Sequence, residues 1–142
     1  MLARRELSEF QVRQRLARKG HEPDSIDDAV ARLLEERAID DARVADAIAR
    51  TETAVRKRGK VRVRMQIERA GIATATAKRA TDEAFDGIDD DALLDAALAK
   101  RLRGRDAVAD DREFQRLYRY LVSQGFESDR ALKALKLRRR AR

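Results

Sequence analysis

The chain has no cysteine, no tryptophan, one histidine and one proline, and aromatic residues fill only 4% of its 142 positions. Without cysteine it cannot form a disulfide, a zinc–cysteine site or a thiol nucleophile, which fits a reducing compartment. No apolar run approaches the roughly 18 residues that a membrane span needs, and the charged start of the chain lacks a signal-peptide core. We therefore predict a cytoplasmic protein with no membrane partner.

Charge is abundant where aromatics are scarce. Charged residues make up 42% of the chain, and 33 bases against 26 acids give a net charge of +7. Of the bases, 26 are arginines, whose guanidinium groups bind phosphates and carboxylates through paired hydrogen bonds. Leu, Ile, Val and Ala nevertheless recur at helical spacing throughout, which predicts thin helical modules with a large charged surface.

One helix ending occurs three times. The stretches RQRLARKGHEPDSIDDAVARL, RMQIERAGIATATAKRATDEA and YRYLVSQGFESDRALKALKL align with their glycines in register, at Gly20, Gly71 and Gly125. A glycine in the left-handed conformation ends a helix, and the Schellman motif adds an apolar contact across that turn. The predicted contact pairs are Leu16 with His21, Ile67 with Ile72, and Leu121 with Phe126.

A further helix is predicted before the second and third turns. These helices begin in the acidic segments IDDAR and IDDDA and end in bases, as the helix dipole favours. The predicted apolar faces are Val44, Ile48 and Val55, and then Leu94, Leu98 and Leu102. The predicted N-caps are Ser8, Thr74 and Ser128.

The predicted fold is all-α, with three tandem three-helix repeat modules in an elongated curved array. The modules span residues 1–38, 39–86 and 87–142. The first has a short leading helix within MLARREL, and the third ends in a basic tail. Each module is too small to bury a full core alone, so packing between neighbours must add stability.

With these repeats and helices, the chain resembles the RecX regulators of the RecA recombinase. The resemblance rests on four segments in order, LARRELSEFQVRQRLARKG, DDARVADAIART, RGKVRVRMQIERAGI and RLYRYLVSQGF. It implies a non-enzymatic protein that binds in the groove of the RecA filament on single-stranded DNA and suppresses ATP hydrolysis, strand exchange and filament growth. Gln11 and Gln66 depart from the family's usual Glu, Val44 from a larger aromatic residue, and His21 from an apolar one.

The bases form two clusters that are candidates for partner binding. Residues 50–64 hold seven bases and one acid, and residues 130–142 hold seven bases and no acid. Each cluster has two interpretations, a binding face or a solvated surface, and the second cluster also reads as a disordered tail. The candidate contact residues are Arg56, Lys57, Arg58, Lys60, Arg62, Arg64, Lys136, Arg138, Arg139 and Arg140.

Other chemistry-bearing residues favour structural roles. Tyr118 fits an apolar stripe, whereas Tyr120 points outward and is a candidate for base stacking. The acids at 40–41 and 89–91 stand where helix N-termini attract carboxylates, which favours capping over metal binding. With one histidine, no thiol and no phosphate-cradling loop, the chain is predicted to be no enzyme and to take no cofactor, metal or small-molecule substrate.

Two alternative functions remain open from sequence. A helical-repeat protein that binds single- or double-stranded DNA directly fits the basic charge, although no exposed helix offers an evident set of base-reading side chains. A general helical adaptor with an acidic protein partner fits the repeats. A regulator differs from both because it suppresses RecA at concentrations far below those that coat DNA.

Overall fold

The computed structural model describes residues 6–139, and it confirms an all-α helical repeat fold. Within this range there are eight α-helices and no β-strand, apart from an isolated bridge between Val108 and Arg139. The helices are α1 (Glu9–Arg18), α2 (Pro23–Glu35), α3 (Asp41–Arg50), α4 (Lys60–Arg69), α5 (Thr74–Ala84), α6 (Asp90–Leu102), α7 (Asp111–Ser123) and α8 (Ser128–Leu137). The first repeat has two of these helices and the others have three each.

The leading helix predicted within MLARREL does not extend into the described residues. Glu6, Leu7 and Ser8 are non-helical, and residues 1–5 lie outside the described range. Ser8 instead is the N-cap of α1, as predicted, and its hydroxyl accepts from the Gln11 amide at 3.2 Å. The Gln11 side chain accepts from the Ser8 amide in return at 3.0 Å, which completes a capping box.

The three aligned glycines close three similar helix ends. Their φ angles are +89°, +82° and +101° for Gly20, Gly71 and Gly125, a region that glycine adopts without a Cβ clash. Each glycine amide donates to the carbonyl three residues earlier, at 2.9–3.0 Å. At the first and third turns the next amide donates to Leu16 and Leu121, both at 3.2 Å, so these ends are Schellman motifs.

Burial differs among the residues that follow the glycines. Ile72 and Phe126 are buried, with 4% and 2% exposure, whereas His21 is exposed. The predicted packing of His21 against Leu16 therefore gives no buried contact comparable to the other two turns.

The N-caps predicted at Thr74 and Ser128 are wrong by one residue. Both are the first residues of their helices, the caps are Ala73 and Glu127, and neither cap makes a side-chain hydrogen bond. Pro23 occupies the same place in α2. All three helices thus begin three residues after the turn glycine, so the backbone of the turn sets the start whatever side chain follows.

The end of α3 widens into a π-helical segment, Thr51–Val55, in which the Arg56 amide donates to the Thr51 carbonyl at 3.1 Å. Val44 is buried and Ile48 partly buried, as predicted, but Val55 is 74% exposed. The extra residue in the π turn rotates the helical register, so Glu52 is buried in this segment and Val55 faces solvent. The prediction that Val55 belongs to the apolar face is wrong for this reason.

Three apolar clusters follow one another along the chain. The first contains three buried residues, Ile26, Val30 and Ile39, with Val12, Leu16 and Leu33 packed against them. The second joins α3, α4 and α5 around Val63 and Ile67. The third joins α6, α7 and α8, and it buries Leu94, Leu98, Leu102, Val108, Phe114, Leu117, Leu121, Phe126, Ala131 and Leu135.

Residues at the start of α1 connect the first cluster to the second. They contact the end of α4, the glycine turn that follows it and the start of α3. The buried Ser8 hydroxyl donates to the Ala70 carbonyl at the end of α4, and the Glu9 amide donates to the Asp41 carboxylate at 2.9 Å. Phe10 lies directly on Gly71, where an added Cβ would overlap its side chain. The first α-helix is thereby fixed against the glycine turn of the second repeat.

The chain exposes a large surface for its mass. It exposes 10103 Å², against about 7,500 Å² for a compact protein of this mass. A linear series of small cores has this property because each core contacts only its neighbours. None of the helices in residues 6–139 has the length and apolar character to cross a membrane.

Candidate partner-binding surfaces

The junction between the second and third repeats passes through the predicted basic stretch. The amides of Gly59 and Val61, at the start of α4, donate to the carbonyls of Gln124 and Gly125 at 2.8 and 3.0 Å. A Cβ at Gly59 would overlap the backbone of Gly125 and Phe126. The positive end of α4 therefore meets the negative end of α7 at backbone distance, which both helix dipoles favour.

Three of the predicted contact residues bind other groups within the molecule, and two of them do so at this junction. Arg62 donates to the Ser123 carbonyl at 2.8 Å, and Arg58 donates to the Gln124 side chain at 2.8 Å. The Lys60 ammonium lies 3.1 Å from the Asp82 carboxylate on α5. Arg58, Lys60 and Arg62 thus have partners within the molecule, although the Lys60 side chain is still 41% exposed.

The other bases of this stretch are exposed. Arg56 and Arg64 lie 3.8 and 3.7 Å from Glu52 and Glu68, so neither guanidinium group makes a direct hydrogen bond to its acid. Lys57 has φ = +56°, so its backbone is in the left-handed region, and it makes no ion pair within residues 6–139. Arg56, Lys57 and Arg64 are hereafter the middle bases.

The C-terminal bases in the described range are partly fixed to the fold. The Arg138 carbonyl accepts from the Val108 amide at 2.8 Å, and Arg139 lies 2.9 Å from Asp111 and over the Phe114 ring. Lys136 is exposed. Arg140 lies outside the described residues. The interpretation of this segment as a disordered tail therefore does not hold for residues up to Arg139.

The acidic segments act as helix caps. Asp40, Asp89 and Asp110 are N-caps whose carboxylates accept from the amide three residues later, at 3.1, 3.1 and 2.8 Å. Within the part of the chain that the structure describes, no group of three or more His, Cys, Asp or Glu residues is arranged to hold a metal ion.

A basic cleft that sequence reasoning missed lies between α6 and α7. Its volume is about 360 Å³. It is lined by Arg101, Arg103, Arg105, Glu113, Arg116, Leu117 and Tyr120. The only sequence signal was RLRGR at 101–105, which is also what a helix C-terminus favours. We call these residues the α6–α7 cleft.

One ion pair neutralises one of the four arginines of the cleft. Arg105 contacts Glu113 through both of its terminal nitrogens, at 2.9 and 2.6 Å, and the Ala109 amide donates to the same carboxylate at 2.9 Å. Chiefly because of the Arg105 bond, and then the Ala109 bond, the pKa of Glu113 falls from 4.5 to about 2. Arg101 lies 3.8 Å over the Tyr120 ring.

The low pKa of Glu113 makes the free energy of unfolding depend on pH in the acid range. Since its pKa is lower in the folded chain, its contribution to the free energy of unfolding is complete above pH 4.5 and is lost as the pH falls towards 2. We expect Glu113→Gln to flatten the dependence of urea-unfolding free energy on pH across this window. Arg105→Gln should flatten it likewise, because it removes the main cause of the shift. Variant curves parallel to that of the unaltered protein would contradict the assignment.

A second cleft, of about 750 Å³, lies between the first two repeats. Gln11, Val44 and Gln66 are among the residues that line it. The buried Glu52 also lines it, and among residues 6–139 the Oε2 atom of Glu52 has no hydrogen-bond partner. Two acids and two arginines line this cleft, so its charges balance and favour neither sign of ligand.

Comparison with known proteins places the chain in a family. Residues 1–33 match the family model for the RecX first three-helix domain. Regulatory protein RecX of Halorhodospira halophila is 32% identical over 130 residues, which cover 91% of this chain and 78% of that relative. Regulatory protein RecX of Chromohalobacter salexigens is 33% identical over 139 residues, covering 95% and 86% of the two chains.

Solved structures agree in fold. The crystal structure of RecX from Lactobacillus salivarius superposes with a TM-score of 0.67 at 20% identity, covering 92% of this chain and 86% of that one. A second structure, described as regulatory protein RecX, gives 0.68 at 19% identity and covers 92% and 63%. Because the two relatives from Halorhodospira halophila and Chromohalobacter salexigens are 32% and 33% identical to it over 91% and 95% of its length, the chain belongs to the RecX family of regulatory proteins.

Proposed function

We propose that this chain regulates the RecA recombinase by binding along the groove of the RecA filament on single-stranded DNA. In that position it suppresses ATP hydrolysis, strand exchange and filament growth. Membership of a family of regulatory proteins supports the proposal, and the RecA partner follows from the resemblance described above. The chain acts as a binding protein in the cytoplasm, with no cofactor and no chemical step of its own.

The observation that carries the proposal is the extended array with close junctions. Backbone hydrogen bonds at Gly59 and Val61 hold the second and third repeats together, and the Ser8 hydroxyl holds the first repeat to the second. An extended body of this kind can contact successive protomers of a helical filament at once, which raises the effective concentration of each later contact. Three separate modules on flexible linkers would lose much of this advantage.

The middle bases are the proposed contact with the filament. Arg56, Lys57 and Arg64 are exposed in the central repeat, whereas Arg58, Lys60 and Arg62 bind within the molecule. Exposed charges at the edge of an interface mainly speed association and set specificity. Lys136 is a further exposed base on the third repeat.

The test is the single-stranded-DNA-dependent ATPase of purified RecA, measured with the chain present below the concentration of RecA. Inhibition at such ratios supports a filament regulator. An unchanged ATPase, together with salt-sensitive DNA binding by the chain alone, would refute the proposal in favour of direct DNA binding.

Neutralising the middle bases should weaken inhibition. For the triple variant Arg56→Gln, Lys57→Gln and Arg64→Gln, we expect the concentration giving half inhibition to rise about tenfold, or 1.4 kcal/mol, because three exposed attractive charges are lost. The control is Arg15→Gln, Arg18→Gln and Lys19→Gln, which removes the same charge from exposed positions at the end of α1. Equal losses in the two variants would show that net charge, rather than this surface, governs binding.

A further inference from the structure

We propose that the α6–α7 cleft binds the phosphate backbone of a single DNA strand, with one base stacked on the Arg101–Tyr120 pair. This is a site on the third repeat, separate from the middle bases. It goes beyond the proposed function because it concerns the nucleic acid rather than RecA. Binding of free single-stranded DNA by the chain alone therefore tests it independently.

The charge of the cleft favours a phosphate ligand. Arg105 is paired with Glu113, which leaves Arg101, Arg103 and Arg116 as three positive charges in excess. Arg101 and Arg103 make no ion pair within residues 6–139, and Arg116 reaches Glu113 only at 3.5 Å, with a side chain 65% exposed. Guanidinium groups bind phosphate oxygens in pairs, and three of them match successive phosphates or one phosphate held from several sides.

The backbone at the edge of the cleft places Arg103 at the end of α6. This residue ends α6 with φ = +53°, a left-handed conformation that residues with a Cβ atom seldom adopt. Gly104 follows it with φ = +85°, in open space. The helix end is thus closed by a long cation in place of the glycine or asparagine that usually takes this conformation.

The aromatic ring favours a single strand over a duplex. Tyr120 is half-buried and carries the Arg101 guanidinium 3.8 Å above its ring. Bases of single strands stack on tyrosine rings and on guanidinium planes, whereas the bases of a duplex are already stacked on one another. A cleft of about 360 Å³ is at the small end of ligand sites, which fits one nucleotide and excludes a helix.

An acidic peptide fits the cleft less well. The site already contains its carboxylate, since Glu113 takes both nitrogens of Arg105 and an amide bond besides. A carboxylate from a peptide would bind one guanidinium group and would make no stacking contact with the Tyr120 ring. A nucleotide uses the charges and the ring together.

The experiment measures fluorescence anisotropy of labelled oligo(dT) with the full chain across a salt series. For Arg101→Gln, Arg103→Gln and Arg116→Gln together we expect at least about a tenfold loss of affinity, with the salt slope reduced by about two, as three lost phosphate contacts predict. Tyr120→Leu should cost about fivefold or more with an unchanged slope, because it removes stacking and no charge. Tyr120→Phe keeps a ring and should retain most of the affinity.

Several results would overturn the assignment. The control variant Arg15→Gln, Arg18→Gln and Lys19→Gln removes the same charge elsewhere and should leave the affinity within about twofold. An equal loss of affinity in this variant would show that net charge, rather than the cleft, governs binding. Equal binding of a duplex of the same length, or equal competition by poly-glutamate, would also overturn it, as would a Tyr120→Leu variant that binds normally. Helical circular dichroism confirms that each variant is folded. Loss of oligo(dT) binding with RecA inhibition retained would separate this site from the proposed function.

Discussion

Gly125→Ala is expected to destabilise the chain by about 2–4 kcal/mol. Part of the loss, about 1 kcal/mol, comes from placing a side chain at φ = +101°. The rest, about 1–3 kcal/mol, comes from overlap of the new methyl group with Arg62 and with the Gly59 carbonyl at the junction of the second and third repeats. Urea unfolding followed by circular dichroism measures the change.

Gly20→Ala is the matched control for this prediction. Gly20 closes the same kind of helix end, with φ = +89°, but an added Cβ meets nothing within 4 Å. We expect a loss of about 1 kcal/mol, from the backbone conformation alone. If the two variants lost the same free energy, the close approach of α4 to the third turn would contribute nothing to stability, contrary to the junction described above.

Phe126→Ala should cost about 3–5 kcal/mol, the usual range for truncating a buried aromatic residue. Phe126 is 2% exposed and lies in the third cluster, which also contains Leu121 and Leu135. Removing the ring leaves a cavity under the turn that those neighbours fill only in part. Thermal and urea unfolding of the variant measure the loss.

His21→Ala tests the same slot in the first turn. The imidazole is exposed, so the change should stay within about 0.5 kcal/mol. Its backbone amide still donates to Leu16, because that bond does not involve the side chain. A loss for His21→Ala comparable with that of Phe126→Ala would mean that the ring packs in solution, as first predicted from the sequence.

Local patterns carried the prediction of the helices and their ends. The turns at Gly20, Gly71 and Gly125 were predictable because a left-handed residue with an apolar neighbour is determined within a few positions of the chain. Leu94, Leu98 and Leu102 are buried for the same reason, since their spacing alone puts them on one helical face. Val55 escaped prediction because the π turn changes the spacing on which the argument depends.

Contacts between repeats were beyond the sequence pattern. Arg58 and Arg62 look the same as Arg56 in sequence, and only the position of the third turn shows that they bind Gln124 and Ser123. Likewise Arg101 and Tyr120 are separated by a loop and most of α7, so nothing local indicates that they stack. Surface charge can be predicted from composition, but its partners depend on tertiary packing.

The two junctions are unequal, and this sets an order for partial unfolding. Backbone bonds from two amides hold the third repeat to the second, whereas one serine hydroxyl, one amide-to-carboxylate bond and the Phe10 side chain hold the first. Among residues 6–139, the apolar cluster of the first repeat has three buried residues, against ten in each of the other two clusters. Subglobal opening therefore begins with α1 and α2, while the other repeats remain as one cooperative unit. The first repeat alone can therefore change its orientation so that the chain follows the pitch of a long partner.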